Sequence, residues 1–134
     1  MEMTNFQREI TALLNDIELR CNEPMAKHTS FRIGGGVEVM AFPKNREELA
    51  RVLKTSALLD CKTAILGAGT NVLAPDAGIS GLVICLKDCL DGMEQLSETS
   101  IRVMAGVTMA RAAGFAANLG LSGLEFAHGI PGSV

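Results

Sequence analysis

Tryptophan and tyrosine are absent from this 134-residue sequence, and phenylalanine occurs only five times. A surface that stacks the bases of a single nucleic-acid strand needs such rings, so that class of reader is excluded. Positive charge is also thin: the formal net charge is −3, and the 12 basic residues are scattered along the chain. A protein that tracks a phosphate backbone gathers its lysines and arginines on one face, so no nucleic-acid partner is expected. No run of eighteen apolar residues occurs, which leaves no candidate for a membrane-spanning helix and no membrane partner. The opening "MEMTNFQREI" has acidic and amide side chains where an export leader carries a basic and then an apolar stretch, which points to a cytoplasmic location. Cysteine is sparse too. Cys21, Cys61, Cys85 and Cys89 are too irregularly spaced for a disulfide scaffold. Cys85 and Cys89 lie four apart, but only His28 and His128 could join them, so they read as small buried hydrophobes and not as metal ligands.

What is present is a globular composition, 48% hydrophobic and 20% charged, on a chain long enough to bury its own core. Phe6, Ile10, Leu13, Leu14 and Ile17 recur at helical spacing, which predicts an amphipathic helix over 5–19. A long polar loop, "CNEPMAKHTSFRIGGG", is expected next, then a short strand in "VEVMAFP". Asn45 precedes Glu48 by three and opens a helix over "REELARVLKTSALL", with Leu49, Val52, Leu53 and Leu59 as its buried stripe. The short apolar runs "TAILG" and "GLVICL" read as strands, and "GMEQLSETSIRVMAG" as a hairpin. Thr108 can cap a last helix, "MARAAGFAANL", that ends at Gly120. The sum is an α+β chain: an N-terminal helix over 1–21, one helix-on-sheet unit over 22–86, and the start of a second over 87–134.

Two glycine loops stand out. "AILGAGTNVLAPDAG" runs a strand into Gly67-Ala68-Gly69-Thr70-Asn71, where successive bare N–H groups can form an anion-binding concavity. A phosphate loop of the Walker type needs a lysine after its second glycine, and none follows. A Rossmann turn needs a long helix next, which Pro75 and Gly78 forbid. The choice left by spacing is between an irregular phosphate loop and a plain tight turn. The second loop, "GIPGSV", combines a stiff proline, a bare glycine and Ser133 as a natural helix N-cap, so a helix is expected to begin just beyond it with its N–H groups facing a ligand. His28 reads mainly as a structural residue of its loop. Arg32 is a candidate phosphate contact against a solvated loop charge, His128 is left open, and Glu125 is given no chemistry.

Taken in order, "NEPMAKHTSFRIGGG", "ILGAGTNVLAPDAGISGLVI", "RVMAGVTMARAA" and "GLSGLEFAHGIPGSV" strongly resemble the N-terminal part of the UDP-N-acetylenolpyruvoylglucosamine reductases, flavoenzymes of bacterial peptidoglycan synthesis. The resemblance covers residues 22–134 and implies an FAD-binding domain of the vanillyl-alcohol-oxidase (PCMH) type, with flavin held between two small α+β subdomains. It implies FAD contacts at Leu66, Gly67, Ala68, Gly69, Thr70, Asn71 and Val72, and at Gly129, Ile130, Pro131, Gly132 and Ser133, with Ala105-Gly106 as a weaker match. It also implies NADPH and a UDP-sugar as partners of the full-length enzyme. Gly36-Val37-Glu38 departs from the Pro-Ala-Asp common in that family and suggests a looser loop there. The family's proton-donating serine and its arginine and glutamate match no position here. The expectation is therefore a partial FAD domain without turnover, prone to self-association. The alternative is a free-standing flavin- or nucleotide-binding module.

Overall fold

The computed structural model describes residues 2–134. A helix α1 (Asn5–Leu13) begins at Thr4, whose side chain accepts from the Gln7 N–H while the Gln7 side chain reaches back to the Thr4 N–H. This reciprocal cap satisfies donors that would otherwise be orphaned at the helix start. The helix is shorter than its periodicity predicts. Leu14 and Ile17 are buried, but they follow the last turn, and Leu13 is 48% exposed. Asn15 and Asp16, poor helix formers, occupy the break.

Strand β1 (Leu19–Pro24) comes next, where the sequence suggested helix and then loop. A short 3₁₀ turn over Met25–Lys27 leads to β2 (Gly36–Ala41), α2 (Arg46–Leu58), β3 (Thr63–Leu66) and β4 (Ile79–Cys85). The four strands form one sheet in the order β1-β2-β4-β3. β1 runs antiparallel to β2, while β2, β4 and β3 are mutually parallel. A parallel pair needs a crossover, and α2 supplies the one between β2 and β3. Gly34 and Gly35 ahead of β2 and Gly36 at its start are fastened and not loose. The Gly35 N–H donates to the Pro75 carbonyl at 2.9 Å, and the Met25 N–H to the Gly35 carbonyl at 2.9 Å.

The core has two sides. On one, Ile10, Leu14 and Ile17 of the N-terminal segment and Val52 of α2 pack on Val39, Ala41, Leu82 and Ile84. Each such aliphatic side chain contributes roughly 1.5–3 kcal/mol when fully buried. The N-terminal helix is thus built into the sheet's own core. Within α2 the buried stripe holds at Val52, but Leu53 is 42% exposed. On the other side Met25, Val37, Met40, Leu66, Ala74 and Val83 are covered by loop segments with no helix among them. Those loops are where the ligand segment lies.

Glu38 ties these parts together. Its carboxylate accepts from the Thr4 hydroxyl at 2.8 Å and from the Gly81 N–H at 2.8 Å. Gly81, at φ +90°, is the extra residue where the β2–β4 register slips, and a side chain there would collide with the Lys62 carbonyl. After β4 the hairpin β5 (Met93–Ser97) and β6 (Ser100–Val103) forms a separate two-stranded sheet. Helix α3 (Met109–Asn118), capped by Thr108, buries only Ala112, Ala113 and Ala116. A second 3₁₀ turn spans Glu125–Gly129. Residues 132–134 then run extended against 107–109, with the Met109 N–H donating to the Gly132 carbonyl and the Val134 N–H to the Val107 carbonyl, both at 2.9 Å. Ser133 is thus a ladder residue, bridged to Thr108.

Candidate functional site

Leu66 and Val72 hold the first glycine loop at its two ends. Leu66, the last residue of β3, is 3% exposed, and Val72 packs on the same apolar cluster. Between them the chain must turn sharply over the edge of the sheet. Gly69 has φ +69°, a left-handed conformation that costs an L-residue roughly 1–2 kcal/mol. A methyl group there would also strike the His28 carbonyl. The Gly69 carbonyl in turn accepts from the Ser30 N–H at 2.9 Å, which fixes the loop to the 28–30 segment.

The second loop meets the first on another side. The Thr70 hydroxyl donates to the Pro131 carbonyl at 3.2 Å. A methyl group at Gly132, φ +138°, would stand 3.2 Å from the Thr70 Oγ1, and one at Gly67 would land on the Ser133 Oγ. Segments sixty residues apart along the chain thus share a seam. Gly67, Gly69, Thr70, Pro131, Gly132 and Ser133 are brought together. Ala68, Asn71, Gly129 and Ile130 lie exposed along the same two loops. Ala105-Gly106 faces elsewhere: the Gly106 N–H donates to the Leu90 carbonyl at 2.9 Å, and its Cα packs on the backbone of Leu86 and Cys89.

The backbone N–H groups of Ala68, Gly69, Thr70 and Asn71 find no hydrogen-bond acceptor among the described residues. Gly69 is buried. Buried backbone donors are nearly always paired, so the Gly69 N–H calls for an external acceptor, while the more accessible Ala68, Thr70 and Asn71 N–H groups can be met by water or by a ligand. Successive free amides in a turn form a concavity suited to an anion, and a phosphate oxygen supplies the missing partner. The residues present therefore fit the diphosphate of a flavin dinucleotide.

Beside this loop, at the carboxyl ends of β3 and β4, opens a cleft of about 440 Å³. Open sheets with parallel strands bind ligands at this end. Lys27, Arg32 and Lys87 reach it, along with Thr29, Ser30 and the buried Cys85. His28 lies between this cleft and a neighbouring cavity of about 210 Å³. Its Nε2 sits 2.8 Å from the Glu23 Oε1, and its ring packs at 49° to Phe42, centroids 5.5 Å apart. Glu23 is only 9% exposed and also takes an Arg20 N–H at 3.1 Å. The hydrogen bond from His28, with the Arg20 contact added to it, holds the Glu23 carboxyl below the usual glutamate range.

Glu23, Lys27 and Lys87 were not singled out in the sequence. The signal for Lys87 is its place just past a parallel strand, where binding residues collect. Glu23 had none, because its strand was not legible. Glu125 spends its carboxylate locally by accepting the Gly123 N–H at 2.8 Å, and the backbone donors around it lower its pKa. Cys85 and Cys89 are both buried, with burial pushing the Cys89 thiol up.

Known proteins share much of this sequence and its fold. The FAD binding domain family matches residues 37–134. The chain is 40% identical to the UDP-N-acetylenolpyruvoylglucosamine reductase of Syntrophomonas wolfei over 126 residues, 94% of this chain and 42% of that protein. It is 42% identical to the reductase of Halalkalibacterium halodurans over 117 residues, 87% of this chain and 38% of that protein. The crystal structure of the corresponding reductase from Thermus caldophilus superposes with a TM-score of 0.59 at 28% identity, over 88% of this chain and 39% of that one. The chain spans about two fifths of the length of the curated relatives it matches. A PCMH-type α+β fold, a glycine seam that joins two distant loops and a match across most of the sequence lead to one assignment: this chain belongs to the FAD-binding domain family, in the form that the UDP-N-acetylenolpyruvoylglucosamine reductases carry.

Proposed function

We propose that the chain holds FAD by its diphosphate between residues 66–72 and 129–133. We further propose that it serves as the FAD-binding part of a cytoplasmic, NADPH-dependent reductase that makes UDP-N-acetylmuramate for the cell wall. When bound, the flavin supplies a ring that accepts and passes on hydride. The chain's own residues do the holding. Ala68 to Asn71 offer four N–H donors with no acceptor among the described residues, Ser133 adds a hydroxyl, and Leu66 and Val72 anchor the loop from below. Rigid, preoriented donors bind an anion without an ordering cost at the moment of contact. The observation that carries this reading is the meeting of the two loops at Thr70 and Pro131.

Titration of the purified chain with FAD, followed by quenching of flavin fluorescence, tests it. Saturable quenching is expected, and Gly132→Ala, which presses a methyl group toward the Thr70 hydroxyl at a positive φ, weakens it about tenfold. NADPH oxidation in the presence of the enolpyruvoyl sugar nucleotide stays at the free-FAD background, because the donors of the second half-reaction match no residue here. Absence of saturable quenching overturns the reading. The second reading is a free-standing flavin- or nucleotide-binding module without reductase activity, which the same seam would serve. Turnover above background excludes it.

A further inference from the structure

The diphosphate seam offers neutral donors only, yet the chain places formal charge beside it. The 440 Å³ cleft that shares Gly67 and Ala68 with the seam is reached by Lys27, Arg32 and Lys87, and no carboxylate lines it. In a chain of net charge −3 such a gathering runs against the average. None of the three cations is in a salt bridge among the described residues. The buried carboxylate behind the cleft, Glu23, is hydrogen-bonded by His28 and Arg20, and Lys27 acts on it only through space.

Arg32 adds an independent observation. Its backbone lies at φ +54°, in the left-handed region, where a side chain other than Asn or Asp is uncommon. The turn is held by the Arg32 N–H donating to the Thr29 carbonyl at 3.1 Å and by the buried Thr29 hydroxyl donating to the Ile33 carbonyl at 3.3 Å. A glycine would relax this position, yet a long cation stands there and reaches the cleft. Local strain retained at such a place is a pointer to function.

From these features we infer that Lys27, Arg32 and Lys87 form a countercharge wall that makes the site select flavins bearing phosphate. It takes a phosphate-bearing flavin, whether a diphosphate or a single ester that is close to dianionic at neutral pH, in preference to a neutral flavin. The inference rests on the flavin reading for the identity of the ligand, but the chemistry it names is that of a diphosphate from any source. Three cations outside any salt bridge over one cleft more than offset the two negative charges of a diphosphate, and ionic donors to phosphate are stronger than neutral ones. Lysine acts there as a point charge and arginine as a planar fork.

The test measures the affinity of the wild-type chain, Lys87→Gln and Arg32→Gly for FAD, FMN, riboflavin and inorganic pyrophosphate by calorimetry at low and high salt. The wild type is expected to bind FAD and FMN more tightly than riboflavin, with the difference shrinking as salt screens the wall. Lys87→Gln weakens FAD and pyrophosphate about five- to tenfold at low salt and leaves riboflavin unchanged. Arg32→Gly weakens them equally while leaving the melting temperature the same or higher, which separates charge from folding. Equal losses for FAD and riboflavin, or none, overturn the proposal. A wild type that binds pyrophosphate through these cations but not FAD overturns the flavin reading and leaves the wall standing. Binding of neither overturns both.

Discussion

Glu23 shows how one side chain can organise a site it does not touch. Its carboxylate is withdrawn from water and accepts from His28 and Arg20, while Arg20 also lies over the Phe42 ring at 4.4 Å. The imidazole is therefore set against the cleft by a partner behind it, an orientation the ring could not hold alone. Because the Glu23 carboxyl is held below its usual range in the fold, its contribution to stability is full above that range and is lost as pH falls through the lowered folded value. Glu23→Gln removes this term. Its melting temperature is expected to lie below the wild type at neutral pH, with the gap closing as pH falls through the lowered folded value, where the wild-type carboxyl is protonated in the folded and unfolded chain alike. Thermal melts across that range check it, and a gap that persists undiminished in acid refutes the assignment. At this scale the sequence disclosed the glycine loops, since a bare backbone at Gly67, Gly69 and Gly132 has few other uses. It did not disclose Glu23, whose meaning comes from a partner five positions away in a turn that no periodicity marks.

Among the elements, those with an apolar period and a clear cap were legible. α2 starts at Asn45, whose side chain accepts the Glu48 N–H at 2.8 Å, and α3 starts at Thr108. β1 was not, because an edge strand carrying Asn22 at φ +55° and ending in Pro24 has no β-branched residue, and the short alternation of Leu19, Arg20, Cys21 and Asn22 is split between the end of the predicted helix and the predicted loop. Its pairing with β2 decides the matter, and such pairing is invisible in a local window. Leu13 and Leu53 were read as core because helical spacing marks a stripe but not its edges. The element most dependent on one distant residue is the bulge at Gly81. Glu38→Ala would leave the buried Gly81 N–H without its acceptor and cut the bond to the Thr4 cap, at a cost of about 1–3 kcal/mol. Urea denaturation reads the loss. Hydrogen exchange is expected to quicken together at Gly81 and in the first turn of α1. Faster exchange in α1 alone would show that the bulge does not need the carboxylate.

For the molecule as a whole, the two halves of the seam rest on unequal foundations. Loop 66–72 is anchored in a sheet whose core is built of Ile, Leu, Val and Met side chains. Loop 129–133 is held by a part whose buried residues are mostly Ala112, Ala113, Ala116 and Ala127, while Leu96, Leu119, Phe126 and Ile130 stay exposed. An alanine methyl buries far less apolar area than a leucine side chain, so the region from the hairpin onward lies at the low-stability end of the molecule. Thr108 and Ser133 join the second loop to α3 through the ladder at 107–109, so a ligand that grips both loops must also steady that ladder. Anything that binds the closed seam and not the opened one stabilises it by mass action. In hydrogen exchange without ligand, the amides of Met109 and Val134 are expected to be far less protected than those of β4. Saturating FAD should slow Met109 and Val134 several-fold while β4, already limited by global unfolding, changes little. Equal protection in the two regions before ligand is added would refute the unequal-foundation argument. Slowing confined to residues 66–72 would mean that the flavin is held by one loop alone.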